Sequence, residues 1–257
     1  MMPRLSVTII TLNEEANIRA CLESVKWADE IVVVDSQSRD RTVELARNFT
    51  DRIFVVPWQG FARNKELAVE QARMEWVLSL DADERVTPAL HQEILEHVRA
   101  DGPQDGYQVA RKNFFCGQWI KHLGWYPDYT IRLFRRGRGH FVDREVHEGV
   151  EVDGSVGTLQ QPLEHYTYNS LSDFVQRMDR YSHLAAQELI KQGKRPHWGE
   201  LLWRPWLTFI NLYFIKKGFL EGRAGYTLAV LYSMYNFLKY AKLRELRQQA
   251  QITENAE

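Results

Sequence analysis

The stretch that most constrains this chain is the apolar run Trp76-Val77-Leu78-Ser79-Leu80, followed at once by Asp81-Ala82-Asp83-Glu84. An unpaired carboxylate inside a buried strand costs several kcal/mol or neutralises itself. The acids must therefore stand where a strand leaves the core. In an open α/β sheet that carboxyl edge is where ligands bind. Two aspartates one residue apart at such an edge suit a hard, oxygen-seeking cation that carries phosphates with it.

The preceding segments supply the rest of a sheet. Leu5–Thr11 and Ile31–Val34 read as buried parallel strands, Arg52–Val56 as a third, and the second of them also ends in an acid, Asp35. Helices are expected between them, one with Ile18, Cys21, Leu22 and Val25 at the 3.6-residue period, one over Thr42–Asn48 with Asp40 as its cap, and one from Gly60 to about Arg73. Such alternation indicates βαβ units and right-handed crossovers. No Gly-x-Gly-x-x-Gly follows the first strand and no Walker-type loop is present, which argues against a dinucleotide site, and the lack of a glycine- and arginine-rich loop after that strand argues against a nucleotidyltransferase. After a helix at Thr87-Pro88 the texture changes to shorter strands (107–115, 129–134, 140–142, 150–152), and from Ser170 everything is helical, over 170–192, 200–219 and 224–247. Cys21 and Cys116 are too few and too far apart for a disulfide framework or a zinc site, and are expected to be reduced packing residues. Met1-Met2-Pro3-Arg4 runs straight into a strand without the apolar core of a signal peptide, so a cytoplasmic location is expected.

Three ordered motifs resemble those of family-2 glycosyltransferases with the GT-A fold: Ser6–Glu15, then Val34-Asp35-Ser36-Gln37-Ser38-Arg39-Asp40-Arg41-Thr42, then Leu80-Asp81-Ala82-Asp83-Glu84. Gly124-Trp125-Tyr126-Pro127-Asp128, Arg132-Leu133-Phe134 and Val146-His147-Glu148 resemble a narrower branch, which includes lipopolysaccharide inner-core glucosyltransferases acting on a heptose. The resemblance implies a mostly parallel central sheet with helices on both faces over residues 1–168, a helical extension over 169–247 and a polar tail over 248–257. It also implies roles for particular residues. Thr11, Leu12, Asn13 and Glu14 would line the nucleoside pocket, although the usual aromatic is absent at Leu12. Asp35 would accept from the uracil or ribose, and Arg63 would lean toward the diphosphate. Asp81, with Ala82 beside it, would contact ribose and metal, and Asp83 would be the principal ligand of Mg²⁺ or Mn²⁺. His147 would complete the metal shell, with His165 as the alternative.

The reaction implied is an inverting transfer of a hexose, with glucose the expected sugar, from a UDP-sugar to a lipopolysaccharide core acceptor. Such a displacement needs a carboxylate to take the acceptor's proton. Asp128, after Pro127 in an aromatic loop, is the candidate, with Glu148 its rival; Arg132 further along could hold a phosphate. Transfer to a polyprenyl phosphate or another glycan is the enzymatic alternative, and a membrane-bound scaffold with a relic nucleotide fold the non-enzymatic one.

Charge divides the chain unevenly. Residues 191–247 carry eleven Lys/Arg against three Glu, beside the uncharged runs 205–215 and 224–238. At 1.5 Å per residue the longer run spans ~22 Å, short of the ~30 Å hydrocarbon core. Trp203, Trp206, Tyr213 and Phe214, flanked by Arg204, Lys216, Lys217 and Arg223, instead suit the surface of an inner membrane on its cytoplasmic face, or a homodimer contact. No nucleic-acid motif accompanies the basic residues.

Overall fold

The computed structural model describes residues 4–142, 149–194 and 197–254. The chain forms two compact units. The first runs to Lys112 and resumes over Pro127–Tyr166; the second comprises Asn113–Tyr126 and the chain from Thr167 onward.

The first unit begins with the expected alternation: β1 (Leu5–Thr11), α1 (Ile18–Val25), β2 (Glu30–Asp35), α2 (Thr42–Ala46), β3 (Ile53–Val55), α3 (Phe61–Glu70) and β4 (Trp76–Asp81). A two-residue strand β5 (Glu84–Arg85) and α4 (Pro88–Ala100) follow. The remaining strands are β6 (Gly106–Phe115), β7 (Gln118–Trp119), β8 (Asp128–Arg135), β9 (Gly139–Val142), β10 (Gly149–Val152), β11 (Val156–Thr158) and β12 (Leu163–Tyr168). The main sheet has the order β3-β2-β1-β4-β8-β6-β12-β5. It is parallel from β3 to β4 and antiparallel where β8 joins β4 and β6.

Because strand side chains alternate between faces, β1 feeds two cores. Leu5, Val7 and Ile9 pack with Ile18, Leu22, Leu90 and Ile94 of α1 and α4. Ile10 and Val34 turn the other way, onto Ala68 of α3. Helices thus cover both faces. Cys21 and Cys116 are free thiols, the first buried and the second exposed.

On α4, His91 stacks on Trp27 with ring centroids 4.0 Å apart. Its Nε2 is buried without a hydrogen-bond partner among the described residues. Burial, reinforced by the nearby Arg99 charge, holds the imidazole below its ordinary value of 6.5. The folded state favours the neutral ring, so this contribution to stability is full above that value and lost as pH falls below it. His91→Phe keeps the stack and should flatten the fall in melting temperature between roughly pH 7 and pH 5; a curve parallel to that of the unmodified chain would count against this.

The second unit contains α5 (Leu171–Lys191), α6 (Trp198–Ile210) and α7 (Gly222–Glu254). α7 continues beyond Arg247, where the sequence reading ends the helix. The helix expected over 200–219 stops at Ile210, and a π-helical turn over Asn211–Ile215 and a 3₁₀ turn over Gly218–Glu221 replace its second half. Lys217 between them is left-handed, at φ +56°. A Cβ on Gly218 would lie 2.8 Å from the Leu212 carbonyl, so only glycine allows this return of the chain. Phe115, Ile120, Leu123, Phe174, Met178 and Leu228 form the unit's main core.

Candidate active site

The carboxyl edge is built by register. β1, β2 and β4 end together, with Thr11 beside Asp35 and Ile10 beside Asp81. Asp35 is fully buried. Its Oδ1 accepts from the hydroxyls of Thr11 (2.8 Å) and Ser38 (2.5 Å), and its Oδ2 from the Ser38 amide (2.9 Å). The loops after β1 and β2 then lock together. The Asn13 amide donates to Ser38 Oγ, the Arg39 amide to Asn13 Oδ1, and the Glu14 amide to Thr42 Oγ1, each at 2.8 Å. Thr11, Asn13 and Glu14 are therefore gathered around the Asp35 turn, and Leu12 stands exposed beside them.

Asp81 is gripped by two cations. Lys65 Nζ of α3 lies 2.7 Å from its Oδ1, and Arg132 Nη2 of β8 lies 2.7 Å from its Oδ2. Burial pushes this carboxyl up, but Lys65 and then Arg132 outweigh burial and hold it far below the usual carboxylate range. Arg132 itself is buried, and the same Nη2 donates to Glu84 Oε1 at 2.7 Å. Burial works against the guanidinium's charge, yet Glu84 and Asp81 hold its proton more tightly than usual. Glu84 is fully buried and accepts from the Asp81 amide through Oε2 at 3.0 Å. Arg132 therefore binds carboxylates within the protein, where the sequence reading has it on a phosphate. Ala82 is buried in the core beneath the pair of aspartates.

Asp83 makes the direct contact with His165, whose imidazole also acts electrostatically on Asp81. Its Oδ2 lies 3.5 Å from His165 Nε2, across the β5–β12 pair in which His165 stands opposite Glu84. The Tyr166 amide donates to the Asp83 carbonyl at 2.9 Å and fixes the backbone there. Among the described residues, no three His, Cys, Asp or Glu side chains are assembled into a metal cage. His147 and Glu148, the first-choice metal histidine and the rival base, lie outside the described residues.

Asp128 opens β8, directly opposite Arg111 of β6. Arg111 Nε and Nη2 both donate to Asp128 Oδ2, at 3.0 and 2.7 Å. Its Nη1 lies 3.6 Å from Glu84 Oε1, so one guanidinium links the β8 aspartate to the buried glutamate. Arg63 is not brought to this cluster: it is half exposed and paired with Glu70 of its own helix at 2.8 Å.

Residues 6–150 match the model of the family described as glycosyl transferase family 2. The chain belongs to that family. It is 34% identical over 252 residues to the lipopolysaccharide core biosynthesis glycosyltransferase LpsC of Rhizobium meliloti (strain 1021), a match covering 95% of this chain and 93% of that protein. An uncharacterized glycosyltransferase of Rickettsia typhi, RT0209, is 32% identical over 258 residues and is covered to 88%. Among solved structures, the mannosyltransferase PcManGT of Pyrobaculum calidifontis, in complex with GDP-Man and Mn²⁺, superposes with a TM-score of 0.53 at 19% identity, covering 95% of this chain and 87% of that one. That likeness supports the GT-A-like fold.

In this glycosyltransferase the sequence reading names the acids more completely than their partners. Lys65 passes unnoticed beside Arg63, although two residues along a helix turn a side chain to nearly the opposite face. Glu84 is visible as the fourth residue of Asp-Ala-Asp-Glu, but its burial is set by β12. Arg111 has no sequence signal at all, because its partner is chosen by strand pairing.

Proposed function

We propose that this family 2 enzyme is a metal-dependent inverting glycosyltransferase, moving a hexose from a UDP-sugar to a lipopolysaccharide core heptose. The observation that carries the reading is the unequal treatment of the two aspartates. Asp81 is neutralised by Lys65 and Arg132, whereas Asp83 faces an imidazole. The carboxylate suits Mn²⁺ or Mg²⁺, which commonly take one or two protein ligands and complete their shell with phosphate oxygens and water, and the imidazole favours Mn²⁺ of the two. Asp83 and His165 would hold that ion, and when bound it supplies Lewis-acid stabilisation of the departing diphosphate.

The protein's own residues do the remaining work. Thr11, Asn13 and Glu14 with the Asp35 turn form the wall for the nucleoside. Asp128, oriented by Arg111, takes the proton of the attacking hydroxyl. The likeness to LpsC along nearly the whole chain supports an acceptor in the lipopolysaccharide core, and glucose or a similar hexose as donor follows from the motif resemblance alone. The basic, aromatic helical unit supports work at the surface of the membrane that carries such an acceptor, through peripheral contact, since no helix of the described residues is long and apolar enough to cross a bilayer.

The test is Asp83→Ala, assayed with UDP-glucose, Mn²⁺ and core oligosaccharide acceptor. Turnover and the Mn²⁺-dependent part of UDP binding should both vanish. In the unmodified enzyme, UDP with Mn²⁺ at about 100 times its dissociation constant should add roughly 2.7 kcal/mol of apparent stability. Full turnover by the variant would reject the metal assignment.

A further inference from the structure

The second unit carries an apolar surface that sugar transfer does not require. α6 exposes Trp198, Leu202, Trp206 and Ile210, four residues apart and therefore along one side of the helix. The stripe runs into the π and 3₁₀ turns, where the chain forms an elbow. There Phe214, Ile215, Phe219 and Leu220 are 56%, 71%, 47% and 57% exposed. Lys216, Lys217 and Arg223 are exposed in the same stretch, and none of the three forms an ion pair among the described residues.

The elbow is held firmly from inside. Glu221 is buried and its Oε1 accepts from the backbone amides of Lys121 (2.9 Å) and His122 (3.0 Å). The Leu123 amide donates to the Lys216 carbonyl at 3.0 Å. A Cβ on Gly225 would stand 1.9 Å from the Gly218 carbonyl, so the elbow closes against α7 with no room for a side chain. A polar clasp on the inside thus fixes a tip whose outside is aromatic, aliphatic and cationic.

Two occupants would cover such a tip, a bilayer or a second copy of the chain. The charge pattern chooses between them. Over residues 201–223 the one acid, Glu221, is buried in the clasp, so a two-fold contact centred on the elbow would set lysines against lysines with no exposed acid to neutralise them. An anionic leaflet supplies the missing charge, and its headgroup region suits aromatic rings beside Lys and Arg. We propose that the α6–α7 elbow is the membrane-inserting element of this enzyme, with Phe214, Ile215, Phe219 and Leu220 entering an anionic leaflet and Lys216, Lys217 and Arg223 at its headgroups. This rests on the peripheral membrane association proposed above and assigns it to one segment.

The experiment is cosedimentation of the full chain with large vesicles of phosphatidylglycerol and phosphatidylethanolamine, with phosphatidylcholine vesicles as the control. The unmodified chain should bind the anionic vesicles and be released by salt. Ile215→Asp/Leu220→Asp and, separately, Lys217→Glu/Arg223→Glu should each lower partitioning by about tenfold or more. Both variants should keep the unmodified melting temperature and their transfer to a soluble core oligosaccharide. The charge variant alters only exposed residues, so it decides the matter if the apolar variant fails to fold. Binding by the charge variant equal to that of the unmodified chain would overturn the elbow assignment and leave peripheral association to another surface. No binding by the unmodified chain to either vesicle would overturn both. A dimer that Lys217→Glu/Arg223→Glu or Ile215→Asp/Leu220→Asp converts to monomer, with no lipid binding, would make the elbow a contact between copies and overturn the proposal.

Discussion

Glu84→Ala should lower the stability of the fold by about 3–5 kcal/mol, the usual result of removing one partner from a buried ion pair. The Glu84 side chain is wholly buried and that of Arg132 is 5% exposed, so water cannot take over the lost contact. Arg132 would keep Asp81, but its guanidinium also serves Glu84 through the same Nη2, and its Nε already has no hydrogen-bond partner among the described residues. The Asp81 amide would lose its acceptor as well. The measurement is urea unfolding at neutral pH followed by tryptophan fluorescence. A loss below about 1 kcal/mol would place Glu84 outside the buried network. Glu84→Leu combined with Arg132→Leu should recover much of the loss, because replacing both buried charges with apolar groups is often close to neutral. Activity should not return with stability, since Asp81 would then face Lys65 alone.

Asp128→Asn should lower kcat by about 10²–10⁴-fold while leaving the melting-temperature shift produced by UDP and Mn²⁺ intact. The amide has nearly the shape of the carboxylate and still accepts from Arg111 through its oxygen, so the geometry survives and the basicity does not. The reading that Asp128 takes the acceptor proton is abandoned if transfer continues at the original rate. A fall in UDP binding instead would make the Arg111–Asp128 pair a support of the donor site. Arg111→Lys tests the coupling, because lysine keeps the charge but not the two parallel donors. It should reduce kcat more than it reduces donor affinity.

How much of this was legible beforehand depends on how local each feature is. Trp76–Leu80 announces a buried strand by composition alone, and the abrupt change to Asp81 marks where it emerges. Asp35 likewise ends its strand, but it stays buried because Thr11 and Ser38 satisfy its carboxylate. The 3.6-residue spacing of Ile18, Cys21, Leu22 and Val25 places α1, because a helix face is written in contiguous sequence. The elbow was not legible, since an uncharged run over 205–215 looks like continuing helix. What interrupts it is the fit of Gly218 against the Leu212 carbonyl and of Gly225 against the Gly218 carbonyl. β5 is only two residues long, and its pairing with β12 spans about eighty positions of chain.

Contiguous sequence carries the βαβ alternation of the first four strands, the glycosyltransferase motifs and the placing of Asp35, Asp81 and Asp83 at strand ends. Each of these is encoded by neighbours along the chain. Which charges meet is set by strand register and helix facing rather than by neighbours along the chain. β8 enters antiparallel beside β4 and carries Arg132 to Asp81 and Glu84, α3 turns Lys65 inward and Arg63 outward, and β6 sets Arg111 against Asp128. Those pairings depend on strand register and on which side of a helix a side chain leaves. Asp81 and Asp83, separated only by Ala82 and alike in chemistry, stand in different surroundings, the one held by Lys65 and Arg132 and the other against His165.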